Sequence, residues 1–142
     1  MKRILFLIMF LCAVGACSQP GVDNHELEGN WESMKLDKPK LEFTSEGGVD
    51  TVTVKNYTSW WISVGYNLKR DENGIGTQDG KYYHPTRFDF LDAEWFQALV
   101  PDNGKSNQVI VTVGANTLGK PREAVLEMTA GDIFGTILIY QQ

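Results

Sequence analysis

Histidine, cysteine and runs of basic residues are scarce in this sequence, and each scarcity excludes a class of function. Two of the 142 residues are His and two are Cys, too few for a zinc site, which takes three or four such ligands. Lysine and arginine total 13 against 18 acidic residues, and no basic stretch is longer than the Lys69-Arg70 pair, so the charge pattern of a nucleic-acid-binding surface is missing. We therefore expect no metal site, no cofactor and no nucleic-acid partner.

Catalytic motifs are missing as well. The Gly-x-Ser-x-Gly nucleophile motif does not occur, and a Ser-His-Asp site would depend on His84 alone. Asp89, Asp92 and Glu94 could supply the paired carboxylates of a glycosidase, but a chain with 18 acidic residues brings some carboxylates close together by chance. We predict that the protein is not an enzyme.

No hydrophobic run is long enough to span a membrane. The longest covers residues 4–14, eleven residues, whereas a transmembrane helix needs about 20. It follows the positively charged start Met1-Lys2-Arg3 and is typical of the apolar region of a secretory signal peptide.

The segment Val14-Gly15-Ala16-Cys17 resembles the lipobox of bacterial lipoproteins, in which the cysteine is joined to a diacylglycerol and the chain is cut just before it. The resemblance implies a signal peptide at residues 1–16, lipid attachment (palmitate among the acyl chains) at Cys17 and a lipidated tether at residues 17–37. The alternative is an ordinary signal peptide with Cys17 as a bystander.

Loss of Cys12 with the signal peptide would leave Cys17 as the only thiol, so we expect no disulfide bond. Several acyl chains on one cysteine make membrane attachment permanent. The residue after the cysteine is Ser18. In Gram-negative lipoproteins an Asp at that position resembles an inner-membrane retention signal, and its absence here points to the outer membrane. We therefore expect a lipid-anchored protein of the outer membrane.

From Lys40 onward, apolar residues recur at every second position, which is the period of a half-buried strand. No stretch of ten residues shows a capped helical stripe. The pattern predicts an all-β domain at residues 38–142, an antiparallel Ig-like two-sheet β-sandwich of about seven strands, with a barrel as the alternative. The alternating pairs or runs are Leu41 and Phe43, Val52 and Val54, Ile62 and Val64, Val109 to Val113, Ala124 to Met128, and Ile137 and Ile139.

The order of these segments resembles the BACON domain, whose name stands for Bacteroidetes-associated carbohydrate-binding often N-terminal. The resemblance covers about residues 38–142 and implies a non-catalytic binding module whose ligand is a carbohydrate. The motifs that carry it are Leu41-Glu42-Phe43, Gly47-Gly48, Val52-Thr53-Val54, Trp60, Trp95, Pro101-Asp102-Asn103-Gly104, Val109 to Val113, Asn116, Arg122 and the final strand that ends in Gln141.

Three aromatic residues are candidate ligand contacts: Trp61, Tyr82 and Tyr83. Successive strand side chains point to opposite faces, and since Trp60, Ile62, Val64 and Tyr66 are predicted to share the buried face, Trp61 is predicted to face outward. It could instead be covered by the segment around Trp31 or by the long loop predicted at residues 69–85. Trp31 and Met34 are expected to pack onto the domain edge.

The tyrosines fall in residues 69–85, which we predict to be a long loop because three glycines interrupt it and no alternation is visible. Tyrosine offers a ring face beside a hydroxyl, although these two could also plug their own loop. Two functions follow. One is a glycan-binding module at the cell envelope; the other is a structural or protein-interaction module of an envelope assembly, with the loop as its contact surface.

Overall fold

The computed structural model describes residues 31–142. The predicted signal peptide, the proposed lipid attachment at Cys17 and the predicted tether as far as residue 30 lie outside the described residues. Within residues 31–142, no helix is long and apolar enough to cross a membrane.

The described residues form nine strands in two sheets, so the predicted all-β, two-sheet sandwich is confirmed. The larger sheet has the order β1-β9-β8-β3-β4 and the smaller one the order β2-β7-β6-β5. All pairs are antiparallel except β1 with β9, which is parallel. The strands are β1 (Lys40–Phe43), β2 (Gly48–Thr53), β3 (Trp61–Arg70), β4 (Gly76–Tyr83), β5 (Phe90–Asp92), β6 (Phe96–Leu99), β7 (Gln108–Val113), β8 (Arg122–Ala130) and β9 (Ile133–Gln141).

The core lies between the two sheets and is built from the alternating apolar positions of the sequence. Buried residues recur at every second position of β7, β8 and β9, with Thr129 of β8 as an additional buried residue, as expected where one sheet face packs inward. The largest fully buried apolar side chains are Phe96, Leu41, Ile62, Leu91, Leu126, Met128, Ile137 and Ile139. The structure has nine strands where about seven were predicted, and β4, β5 and β6 match none of the alternating runs in the sequence.

Residues 69–85 are not a long loop, so that prediction was wrong. The segment completes β3, turns at residues 71–75 and returns as β4. Asp71 holds the turn, since its carboxylate accepts hydrogen bonds from the amides of Asn73 (2.9 Å) and Ile75 (2.8 Å). β4 could not be recognised in the sequence, because this edge strand is mostly exposed on both faces and therefore shows no apolar alternation.

The chain joins the sandwich before β1. Met34 is buried against Gly135 of β9, and Leu36 forms a β-bridge with Val54. The prediction that Met34 packs onto the domain edge is therefore confirmed. Trp31 does not share this position, since 72% of its surface is exposed.

A polar network closes one end of the sandwich and uses several residues of the BACON-like pattern. Gln141 is fully buried, and its amide donates to the carbonyls of Thr44 (3.0 Å) and Gly114 (2.9 Å). Its carbonyl accepts a 2.8 Å hydrogen bond from Arg122. Asn116 donates to the carbonyls of Lys120 and Gln142. These polar residues tie the loops to the C-terminal strand.

The Pro101–Gly104 segment is a tight turn, although its hydrogen bonds resemble one helical turn. Asp102 and Asn103 both have left-handed backbone angles, with φ of 56° and 55°, a conformation that short polar side chains tolerate better than most residues. The turn passes the chain from β6 to β7 within the smaller sheet.

Candidate functional site on the outer face of the larger sheet

The face of the larger sheet that points away from the core carries two exposed aromatic rings in register; we call it the outer face. Trp61 of β3 lies opposite Thr129 of β8, and Thr129 lies opposite Phe134 of β9. Neighbouring strands are about 4.8 Å apart, so the backbones at the two aromatics are separated by about 10 Å. Trp61 is 41% exposed and Phe134 is 55% exposed. Two solvent-exposed rings therefore flank Thr129.

A β-bulge at Ser63 places more apolar residues on this face than the sequence predicts. Ile62 pairs with Met128 and Val64 pairs with Glu127, so two residues of β3 lie opposite a single residue of β8. The extra residue reverses the alternation from that point onward. The prediction that Val64 and Tyr66 share the buried face of Ile62 was therefore wrong, because Gly65 takes the buried position instead.

Tyr66 and Tyr82 form a second aromatic pair on the outer face. They are direct cross-strand partners, their ring centroids lie 5.8 Å apart, and Tyr82 is 48% exposed. Its hydroxyl donates to the Gln78 side chain. Tyr66 also pairs with Val125, four residues before Thr129 on β8, which separates the two aromatic pairs by about 13 Å along the strand.

Tyr83 lies on the other side of β4 and is only 8% exposed. Its hydroxyl donates to Glu94 at 3.0 Å and accepts from the Asn67 amide at 3.1 Å. Burial, followed by the hydrogen bond to Glu94, raises the pKa of Tyr83. Of the three candidate residues, Trp61 and Tyr82 thus share the outer face, whereas Tyr83 is a buried member of a polar network.

A groove of about 280 Å³ lies next to Tyr83 and is a second candidate for a ligand site. Its walls include Asn67, Asp79, Glu94, Trp95, Arg122 and Glu123. The Trp95 indole donates to Asn67 at 2.9 Å, and the Arg122 guanidinium lies 4.5 Å from the centre of its ring. Burial lowers the pKa of Arg122. Since these groups already bind one another, the groove is better explained as packing than as a ligand site.

Charges on the outer face are paired at its margins and unpaired near Trp61. Arg70 and Glu123 form a salt bridge whose two nitrogen-oxygen contacts are 2.7 and 2.6 Å, and Lys40 pairs with Glu42. Glu127 forms no salt bridge in residues 31–142, and its carboxylate accepts a 3.2 Å hydrogen bond from Ser63. The region between the aromatic pairs therefore carries one free negative charge.

Phe134 and Glu127 were missed by the sequence reasoning, although the signal was present. The predicted last strand began at Ile137, and extending the same alternation back along the chain places Phe134 on the outer face. Glu127 alternates with the buried Leu126 and Met128, but nothing local shows that it lies beside Trp61. Among the described residues, no group of three or more Cys, His, Asp or Glu side chains could hold a metal ion.

Comparison with known families shows a match in the second half of the described residues. Residues 86–142 match the family model described as "BACON: Putative binding domain, N-terminal". This range contains β5 to β9 and the second half of the motif series. The resemblance to the BACON domain that the sequence indicated is therefore confirmed.

Among solved structures, the chain is similar to the NMR structure of a protein from Bacteroides thetaiotaomicron. The two share 23% identity with a TM-score of 0.61, over 81% of this chain and 91% of that one. At this identity the likeness supports the fold alone. No curated protein matches the chain.

Proposed function

We propose that this chain, whose C-terminal strands match the BACON family, is a non-catalytic carbohydrate-binding module that uses the outer face of its larger sheet. The observation that carries the proposal is the exposure of Trp61 and Phe134 on one face, in register on either side of Thr129. Large exposed apolar groups that cluster on a surface mark interaction sites. Flat rings suit the apolar face of a sugar, and the carboxylate and hydroxyl groups around them suit its hydroxyls.

The spacing of the aromatic pairs favours an extended glycan over a single sugar. About 13 Å of sheet separates the row of Trp61 and Phe134 from that of Tyr66 and Tyr82, which is longer than one pyranose ring. Val64, Val125 and Leu138 occupy the same face between or beside these rows. A chain of several sugars could therefore contact both pairs.

Binding should depend on Trp61. The wild type is first screened in affinity gels that contain mucin or plant polysaccharides. For any glycan that retards the wild type, we expect Trp61→Ala to weaken binding by about tenfold or more, because burying one aromatic ring contributes about 1.5–3 kcal/mol. Tyr82→Ala should weaken it less, since Tyr82 lies at the sheet edge.

Leu118→Ala is the control, because Leu118 is apolar and exposed but belongs to the loop between β7 and β8. Equal binding by Trp61→Ala and wild type, or no retention of the wild type by any glycan, would refute the proposal.

The rival function, a protein-interaction module, loses its main support in this structure. It depended on a long loop at residues 69–85, and that segment is a regular hairpin of β3 and β4. Trp61 and Trp31 are also exposed, whereas burial of every tryptophan would have favoured the rival. Glycan binding is therefore the better supported of the two.

We also propose that the module is held at the outer membrane by acyl chains on Cys17, as the lipobox-like sequence indicates. Mass spectrometry of the mature protein should identify an acylated Cys17 at its N-terminus, and Cys17→Ser should release the protein from the membrane fraction. A mature terminus at any other residue would contradict the anchor. Proteolysis of intact cells would then distinguish outward display from a periplasmic position.

A further inference from the structure

Glu127 occupies the centre of the outer face and contacts none of the cations that neutralise its neighbours. It lies two residues from Thr129 on the same face of β8, about 7 Å along the strand, which makes it a diagonal neighbour of both Trp61 and Phe134. The side chain is only partly exposed. Ser63, the bulge residue, donates to one carboxylate oxygen, so the other oxygen remains available to a ligand.

We infer that Glu127 selects the ligand, accepting hydrogen bonds from the hydroxyls of an uncharged glycan and repelling glycans that carry carboxylate or sulfate groups. This inference rests on the proposed function and adds the substrate class and a specificity-determining residue. An ionised carboxylate accepts hydrogen bonds that are about twice as strong as those of a neutral acceptor. The same charge disfavours an anionic sugar seated between the rings, because like charges at close range repel and no cation of the described residues neutralises Glu127.

The bulge places the second aromatic pair on the same face as these groups. Without the extra residue at Ser63, the alternation of β3 would keep Val64 and Tyr66 on the core side, and the Tyr66–Tyr82 pair would not lie on the outer face. The one irregularity in the register of β3 and β8 thus lies beside the residues that this inference uses, and bulges are frequent next to functional sites.

The test compares matched neutral and anionic polymers in affinity electrophoresis: desialylated against sialylated mucin, and hydroxyethyl against carboxymethyl cellulose. The wild type should bind at least one neutral polymer, and bind it at least about fivefold more tightly than the anionic partner. Glu127→Gln should weaken neutral binding by about tenfold, the equivalent of one charged hydrogen bond, and remove the preference for the neutral polymer. Glu127→Asp keeps the charge and should keep that preference, which separates the role of the charge from a defect in folding.

Glu46→Gln is the control, since it changes the net charge equally but lies in the exposed turn between β1 and β2. If the wild type binds a neutral polymer and Glu127→Gln has the same affinity ratio, or if the wild type prefers the anionic polymers, the role of Glu127 is refuted while the proposed function stands. If the wild type binds no polymer, both fail.

Discussion

Single residues in this protein show that a family motif can be structural instead of functional. Asn116, Arg122 and Gln141 belong to the BACON-like pattern, yet all three bind backbone carbonyls or one another at the closed end of the sandwich. A buried side-chain amide can donate hydrogen bonds to several carbonyls at once, and a buried carbonyl or amide without a hydrogen-bond partner lowers the stability of the fold. These residues therefore hold the loops in place, and the proposed ligand contacts lie elsewhere.

Replacing Gln141 should destabilise the fold. Gln141→Leu keeps a similar volume but removes three hydrogen bonds, those with the Thr44 carbonyl, the Gly114 carbonyl and Arg122. We expect the free energy of unfolding to fall by about 3 kcal/mol, since each of the three lost hydrogen bonds contributes about 1 kcal/mol. Urea denaturation measures the change. Gln142→Leu, whose side chain is exposed, should be close to neutral, and equal stability of the two variants would show that the network contributes nothing.

At the scale of elements, β3 determines which side chains reach the outer face. Its first residues follow the alternation predicted from the sequence, and the bulge at Ser63 then moves Gly65 inward and Tyr66 outward. A glycine suits the inward position, because a Cβ there would lie 3.1 Å from the Phe96 ring and 3.3 Å from the methyl groups of Leu91. Both of these side chains are fully buried.

Gly65→Ala should therefore destabilise the protein by about 1–3 kcal/mol, the typical cost of overpacking a well-packed core. Gly76→Ala is the matched control on β4, because a Cβ there meets only Leu68 at 3.7 Å, an ordinary contact. That variant should be neutral or slightly more stable, since alanine has less freedom in the unfolded chain. Thermal unfolding of both variants measures the difference. If Gly65→Ala unfolds at the temperature of the wild type, the core opposite the bulge can accept a Cβ without strain.

At the scale of the whole molecule, carboxylates help to fasten the N-terminal segment to the sandwich. Asp37 accepts hydrogen bonds from the amides of Thr53 (2.8 Å) and Lys38 (2.9 Å), and the Thr53 bond is the main reason that its pKa is lowered. The pKa of Asp50 is lowered chiefly by its hydrogen bond with Lys38. Both groups bind protons more weakly in the folded state than in the unfolded chain, whose aspartates titrate near 3.9.

The sign of the pH dependence follows from these lowered pKa values. The stabilisation is complete above the unfolded pKa, and it is lost as the pH falls through the folded one. Asp37→Ala should therefore cost about 0.5–1 kcal/mol at neutral pH and much less at about pH 2.5, by urea denaturation at both values. Glu46→Ala, with no side-chain hydrogen bond in residues 31–142, should show no such difference. A cost for Asp37→Ala that is unchanged in acid would contradict this account.

The sequence alone determined the class of the fold and most of its core. An alternation of two residues is a local property of the chain, and burial of one sheet face converts it directly into the inner positions of β7, β8 and β9. The outward position of Trp61 followed from the same rule, because it lies before the bulge.

Only the tertiary structure decided the composition of the candidate site. The bulge in β3, the pairing of β4 with an edge that has no apolar alternation, and the meeting of Trp61 with Phe134 and Glu127 all depend on the register between strands far apart in the chain. Register is set by the packing of the whole sandwich, and a shift of one residue exchanges the two faces of a strand. For that reason the sequence could indicate an exposed tryptophan, whereas the side chains that surround it became visible only in the folded molecule.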